Sequence, residues 1–323
     1  MIYSRPKRIG TDLSRIGLGG HEFLPDGRSR GFNEDYAKAT APGVIFPGFG
    51  GEKRKAVLKE ACKAGVNLFD VTIDSEKDAL ARNMRELPPP REILVQTRPE
   101  GMCWSNNVDD PDNQRMADYQ LLRTEVKRIL ALTGWSRIGF LNFGFNGSAL
   151  KVNPGYLGAL SRNIASLKEE GLIRFATADT FSGEEVYLRA LDAGAFDSIF
   201  ITMSFANDGG LHRVLPEAAS RGIAVFTREV FAKGELFKWG PEAGIADLNL
   251  LARAALKWLL AVPEVTTVVV GAGTAGELME SAGVMQDTAF KRDEKDALDA
   301  IVATSACQEY RSARRKEFLG QIS

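Results

Sequence analysis

Eight short apolar runs recur along the chain, separated from one another mostly by longer stretches with helical periodicity. The runs are Ser14–Gly19, Val66–Asp70, Ile93–Thr97, Ser136–Phe143, Ile173–Thr177, Ser198–Met203, Ile223–Thr227 and Val265–Val270. Several are rich in β-branched residues, as strands buried on both faces must be. Between them lie the amphipathic stretches Glu52–Ala64, Tyr119–Leu132, Tyr156–Glu170, Glu184–Ala193, Leu211–Ser220 and Leu248–Leu260. Strand and crossover helix repeated in this way predict an α/β chain closed into a single (β/α)8 TIM barrel over residues 1–323, with a doubly wound sheet as the rival. A barrel commonly uses about 250 residues or more as one unit, which this chain of 323 supplies without a linker or internal repeat.

Two segments break the rhythm. Residues 21–51, rich in Gly, Pro and charge, make a long loop after the first strand, and such loops are usually functional lids or disordered. In a barrel this one would sit over the active face, with Phe23, Phe32, Phe46 and Phe49 pinning it down or lining a pocket. The tail over 293–323 reads as helical, and its charged RSARRKEF stretch as a solvated helix face. The 41 basic and 42 acidic residues leave a formal charge of −1, which speaks against nucleic acid or a membrane surface as partner. Cys62, Cys103 and Cys307 lack the spacing of a disulfide framework or thiolate metal site, and two histidines, His21 and His212, make no multi-histidine site. A metal at His21, Glu22 and Asp70 has no spacing to support it. With no apolar leader or membrane-length run, a cytoplasmic protein is expected.

Val268–Val270 leads into Gly271-Ala272-Gly273-Thr274-Ala275-Gly276, a literal G-x-G-x-x-G. The dinucleotide fold that owns this fingerprint needs another strand with an acidic residue about 20 positions on, and the 47 remaining residues look helical. At the eighth strand of a barrel the same loop suits a phosphate, or is a plain turn.

The order of these pieces resembles the aldo/keto reductase superfamily over nearly the whole chain. RIGTDLSRIGLGG is similar to its N-terminal β-hairpin and first strand, and ACKAGVNLFD to the helix and strand that deliver its catalytic Asp, here Asp70. SLKEEGLIRFATADTF, GIAVFTREVFAKGEL and ALKWLLAVPEVTTVVVGAG follow in the family's order. The resemblance implies a Tyr acid, a Lys that lowers its pKa and a His that orients the carbonyl. This chain departs at all three: the Tyr position falls near Ser75, the Lys position holds Arg98, and the His position holds Gly144. Of the nicotinamide contacts, the Ser-Asn pair aligns with Asp179-Thr180, the Gln falls near Phe200, and the stacking Tyr aligns with Arg228 beside Glu229. The cofactor is therefore either absent or NAD(P)(H), with Gly271, Gly273, Thr274 and Glu280 as its remaining contacts.

The replacements are charged. In a barrel Asp70, Arg98, Asn142, Asp179, Arg228 and Glu229 surround one mouth, with His21 and Glu22 opening the loop above it. Arg98 and Arg228 could clamp an anionic small molecule while Asp179, Glu229 or His21 moves a proton. That constellation puts first an enzyme with a rebuilt site of lyase, dehydratase or isomerase type. Second stands an NAD(P)H-dependent oxidoreductase of carbonyl or alcohol substrates with altered catalytic residues, and third a binding or subunit role. In the bland reading Asp70 pairs Arg98, and Asp179 and Glu229 only neutralise Arg228.

Overall fold

The apolar runs become strands whose side chains alternate between a barrel interior and a layer of surrounding helices. The computed structural model describes residues 1–320 apart from 88, 90, 103, 104 and 106. Cys103 of the sequence reading thus lies outside the described residues. Strands β1 (Tyr3–Ser4) and β2 (Leu13–Ser14) form an antiparallel hairpin. Then β3 (Ile16–Gly19), β4 (Leu68–Asp70), β5 (Leu94–Thr97), β6 (Ile138–Gly144), β7 (Ile173–Asp179), β8 (Ser198–Thr202), β9 (Ala224–Arg228) and β10 (Thr267–Val270) close a parallel barrel, β10 pairing back to β3. The run expected at Ser14–Gly19 is split, its first residue belonging to the hairpin.

The described helices are α1 (Tyr36–Ala39), α2 (Glu52–Ala64), α3 (Asp74–Glu86), α4 (Asp112–Arg115), α5 (Tyr119–Thr133), α6 (Gly147–Val152) and α7 (Tyr156–Glu169) in the first half. The second half adds α8 (Glu184–Asp192), α9 (Val214–Ser220), α10 (Glu235–Glu242), α11 (Leu248–Leu260), α12 (Ala275–Gly283), α13 (Arg292–Ala303) and α14 (Ser305–Phe318). Helix α9 begins later than the expected Leu211, because Gly209–Leu211 forms a separate 3-10 turn.

The barrel floor is apolar. Ile9 and Leu13 from the hairpin cluster with the interior residues Leu68, Leu94, Phe140, Phe175 and Phe226. Above the floor the interior turns polar, with Gln96, Thr177 and Ser198 fully buried. This change of character sends the chemistry to the C-terminal ends of the strands.

The lid is fastened by its aromatics. Phe49 and Ala39 pack on Ile73 and Ala79 beside α3, with Phe32 and Phe46 at the margin. Phe46 N donates to Ser75 Oγ at 2.9 Å and Gly43 N to Asp74 Oδ2 at 2.7 Å. Ser75, at the position where the resemblance expects the acidic Tyr, is therefore a lid anchor on α3. Gly50 has φ +73°, and a Cβ there would lie 2.9 Å from the Ala79 Cβ, so the lid can pass α3 this closely only as glycine. Below that contact Lys77, fully buried, bridges Asp74 and Glu100 at 2.9 and 2.8 Å, bracing the loop after β5.

The tail corrects one expectation. Its charged stretch is not a wholly solvated face: Phe318 packs on Gly209, where a Cβ would come within 2.7 Å of its ring, and the main chain of Phe318 closes on Gly183.

Candidate active site

Strands β3, β4 and β5 end side by side, and their last residues set one half of the mouth. Asp70, on the last position of β4, accepts from Gln96 Nε2 at 2.9 Å. Gln96 Oε1 accepts from Thr177 Oγ1 at 3.0 Å, and Thr177 shares a hydrogen bond with Ser198 at 2.7 Å. A polar chain thus runs from the mouth across the barrel interior. Burial pushes the Asp70 carboxyl up to about 6, against the Gln96 hydrogen bond and aided by Glu76.

His21, at the root of the lid, is held by Glu76 on α3. Its Nδ1 lies 2.8 Å from Glu76 Oε1, and Glu76 Oε2 accepts from Thr72 N at 2.7 Å. The histidine side chain is 45% exposed while its carboxylate partner is 1% exposed, so the ring is anchored at one nitrogen and only partly covered. Phe32 of the lid meets the ring edge-on at 4.9 Å. Burial works against the imidazolium, but Glu76 and then Asp70 outweigh it, and the ring holds its proton to higher pH than an ordinary histidine. Arg98 follows β5 on the far side of Asp70's neighbour Gln96, its guanidinium 5.9 Å from the Phe32 ring centroid and 4.0 Å from Glu100. The expected Asp70–Arg98 ion pair is not what forms: Asp70 takes Gln96, and the Arg98 contact with a carboxylate goes to Glu100.

Strands β6 to β9 build the other half differently. Asp179 at the end of β7 is 1% exposed and binds Arg228 Nη1 with both oxygens, at 2.7 and 2.8 Å. Asn142 Nδ2 donates to Asp179 Oδ2 at 3.0 Å, and Arg228 Nε donates to Thr202 Oγ1 at 3.0 Å. The guanidinium lies 4.3 Å from the Phe181 ring centroid and 4.8 Å from that of Phe200. Asp179 therefore neutralises Arg228, whereas Glu229 turns away to Lys233 at 3.6 Å. Glu229, Ala232 and Lys233 have φ of 62°, 49° and 59°, a cluster of left-handed non-glycine residues just past β9. Arg228 Nη2 and Asn142 Oδ1 are buried without a hydrogen-bond partner among the described residues.

The remaining sequence candidates separate. In the glycine loop, Gly273 N donates to Glu277 Oε2 at 2.8 Å and Thr274 Oγ1 caps α12 by accepting from Glu277 N at 3.2 Å. The chain's own carboxylate thus occupies the amide that a phosphate would seek, Gly271 stands beside Phe23, and Glu280 is exposed on α12. Glu22 faces back to Gly50 N at 2.7 Å. Among the described residues no group of three His, Cys, Asp or Glu is placed to hold a metal ion, and no helix is long and apolar enough to cross a membrane. Sequence reasoning missed Glu76 and Gln96, the two residues that fix His21 and Asp70.

No family model matches the chain, and no curated protein does. Solved structures match along nearly the whole length. The aldo-keto reductase AKR11C1 from Bacillus halodurans, in its holo form, is 16% identical over 93% of this chain and 96% of its own, with a TM-score of 0.66. The glycerol dehydrogenase AKR11B4 from Gluconobacter oxydans is 18% identical over 93% of this chain and 95% of its own, with a TM-score of 0.65. At these identities the likeness is one of fold: the closed (β/α)8 barrel resembles the barrels of these two proteins.

Proposed function

We propose that the protein is an NAD(P)H-dependent oxidoreductase of carbonyl or alcohol substrates, acting in the cytoplasm, in which His21 held by Glu76 moves the proton. The observation that carries this reading is the His21–Glu76 pair beside Asp70: a half-exposed imidazole with one nitrogen fixed, at the mouth of a barrel shaped like those of a reductase and a dehydrogenase. The lyase, dehydratase or isomerase reading that the sequence put first finds no support in those likenesses.

The residues present fit a nicotinamide. Asn142 Oδ1 and Arg228 Nη2 offer one acceptor and one donor, buried and without partners among the described residues, which is the complement of a carboxamide. Lys233 and Arg314 border a cavity of about 60 Å³ nearby, paired with Glu229 at 3.6 Å and Glu317 at 2.7 Å, and a pyrophosphate there would have to displace those carboxylates. Arg314, Glu317 and Phe318 of α14 close on that cavity, so a nucleotide enters only if this end of the helix gives way. When bound, the cofactor supplies or accepts the hydride. The chain's own part is to place an acid beside the oxygen that becomes an alkoxide: protonated His21 donates from the nitrogen that Glu76 does not hold. Arg98 adds fixed positive charge to the same half of the mouth, and the Asp70–Gln96–Thr177 chain holds its floor.

Calorimetric titration of the protein with NADPH and with NADH tests the reading. A dissociation constant between about 1 μM and 1 mM, weakened by Arg228→Met, is the expected result. No binding of either nucleotide in that range overturns it.

A further inference from the structure

Beside His21 lies a cavity of about 170 Å³ between the root of the lid, the start of α2 and the loop after β10. Its walls include His21, Glu22, Phe23, Arg30, Lys53 and Arg54. We infer that this cavity binds the phosphate group of a small phosphorylated substrate, holding its carbonyl or alcohol carbon toward His21. The substrate assignment rests on the oxidoreductase reading, while the phosphate site stands on the cavity itself.

The cavity has the donors and the charge. Helix α2 spans 13 residues and starts at Gly51 with no side-chain cap, so the N–H groups of its first turn face outward at the positive end of the helix dipole. Arg54 is 7% exposed, and its Nη2 donates to Gly19 O at 2.9 Å. Its Nη1, by contrast, is buried with no hydrogen-bond partner among the described residues. A buried guanidinium nitrogen left in that state is costly, and an oxyanion on the cavity wall would relieve it. Arg30 is in the same condition at Nε, and its guanidinium is seated against Gly48, where a Cβ would lie 2.8 Å from Nη1.

Two carboxylates share the walls and must be weighed. Glu52 is 93% exposed on its side chain and turns to Lys55, 3.9 Å away. Glu22 is a carboxylate on the wall that accepts from Gly50 N and lies near Arg54 and Arg30; burial raises its pKa against those contacts. Against them stand Arg30, Lys53 and Arg54, while protonated His21 and its partner Glu76 cancel. The balance favours an anion. The volume matches about five or six waters, more than a bare inorganic ion needs, and Phe23 and Val57 give the remainder an apolar wall suited to a short carbon chain. The glycine loop contributes Gly273 to the rim, with its amide already held by Glu277, so the phosphate faces α2 and not the G-x-G-x-x-G turn.

Calorimetry of the full chain with glycerol phosphate, inorganic phosphate and glycerol, each without nucleotide, reads the site directly. The expected result is binding of the monoester, tighter than inorganic phosphate, absent for glycerol, and weakened about tenfold or more by Arg54→Met and by the surface change Lys53→Glu. Lys53→Glu keeps the test decisive if Arg54→Met does not fold. No binding of the monoester up to about 10 mM, equal affinity for inorganic phosphate, or indifference to Lys53→Glu overturns the inference. Nucleotide titration is scored separately, so a protein that binds the monoester and no nucleotide loses the oxidoreductase reading while keeping the phosphate site.

Discussion

The two halves of the barrel mouth hold similar residues and treat them in opposite ways. Across β6 to β9, Asp179 and Arg228 are locked in a two-oxygen ion pair, buttressed by Asn142 and Thr202 and nearly closed to water. Across β3 to β5, the charges are distributed singly: His21 on Glu76, Asp70 on a neutral amide, Arg98 against an aromatic ring. Saturated pairing fixes geometry. Single, partial pairing leaves groups that exchange protons near neutrality. The first half is suited to hold something still and the second to move a proton, and substitutions on each side should fail in different assays.

The largest expected effect is on rate. His21→Asn removes the proton donor while keeping a hydrogen-bonding group toward Glu76, and should lower kcat by about 10² to 10⁴. Glu76, 1% exposed, keeps a hydrogen bond but loses its charged partner, so unfolding stability should also fall, by about 1 to 3 kcal/mol. Steady-state kinetics paired with urea unfolding checks both halves of that forecast. A full-rate His21→Asn enzyme would move the acid elsewhere.

Arg228→Met should fail in the other assay. It leaves Asp179 buried and uncompensated, a change that typically costs about 3 to 5 kcal/mol. The double substitution Asp179→Leu, Arg228→Met should recover most of that loss, because the charge left behind is what is expensive and not the missing attraction. Urea unfolding of the two variants against the native protein settles whether the pair is scaffold. If the single substitution costs less than about 1 kcal/mol, Asp179 has another partner or titrates, and the contrast between the two halves weakens.

Much of this was legible in the sequence, and the misses have a common cause. Helices Glu52–Ala64 and Leu248–Leu260 have the boundaries that periodicity predicts, and Asp70, Asp179 and Arg228 occupy the strand ends that barrel geometry requires. Gln96 went unread because it sits inside an apolar run. Yet in Leu94-Val95-Gln96-Thr97-Arg98 every second side chain shares a face, so Gln96 had to point where Leu94 and Arg98 point. Glu76 and Lys77 went unread as well, two charged residues in the first turn of α3. Only the three-dimensional course of the lid, which covers the first turn of α3, buries them to 2% and 0%. Contacts made by a long irregular loop carry no periodicity from which to read them.

Asp70→Asn should act on stability through pH. The folded-state value of about 6 stands above the ordinary 3.8, so between these values the folded protein binds more protons than the unfolded chain. Stability therefore falls as pH rises through that window, by at most about 3 kcal/mol and less to the extent that water reaches the carboxyl. The asparagine variant should show a flatter profile and gain stability at pH 7. An unchanged slope between pH 4 and 7 would mean that Asp70 ionises freely, and that the Gln96–Thr177 chain does not impose burial on it.

The smallest effect separates His21 as acid from His21 as ornament. Glu76→Gln keeps the acceptor for Thr72 N and the shape of the side chain, and removes the charge beside the imidazole. In the native protein Glu76 and Asp70 raise His21 above its ordinary 6.5 against the opposing effect of burial. Without Glu76, burial and Arg98 both push the value down, and only Asp70 opposes them. A proton donor works while protonated, so reduction should fall off as pH rises through the His21 pKa. The variant's alkaline limb should lie at lower pH than the native one. Stability follows the same sign: the native pair contributes fully below 6.5 and loses its contribution as pH rises through the folded value, and the variant lacks that loss. A rate limb that stays in place while the stability limb disappears would assign His21–Glu76 to holding the lid root and leave the proton to another group.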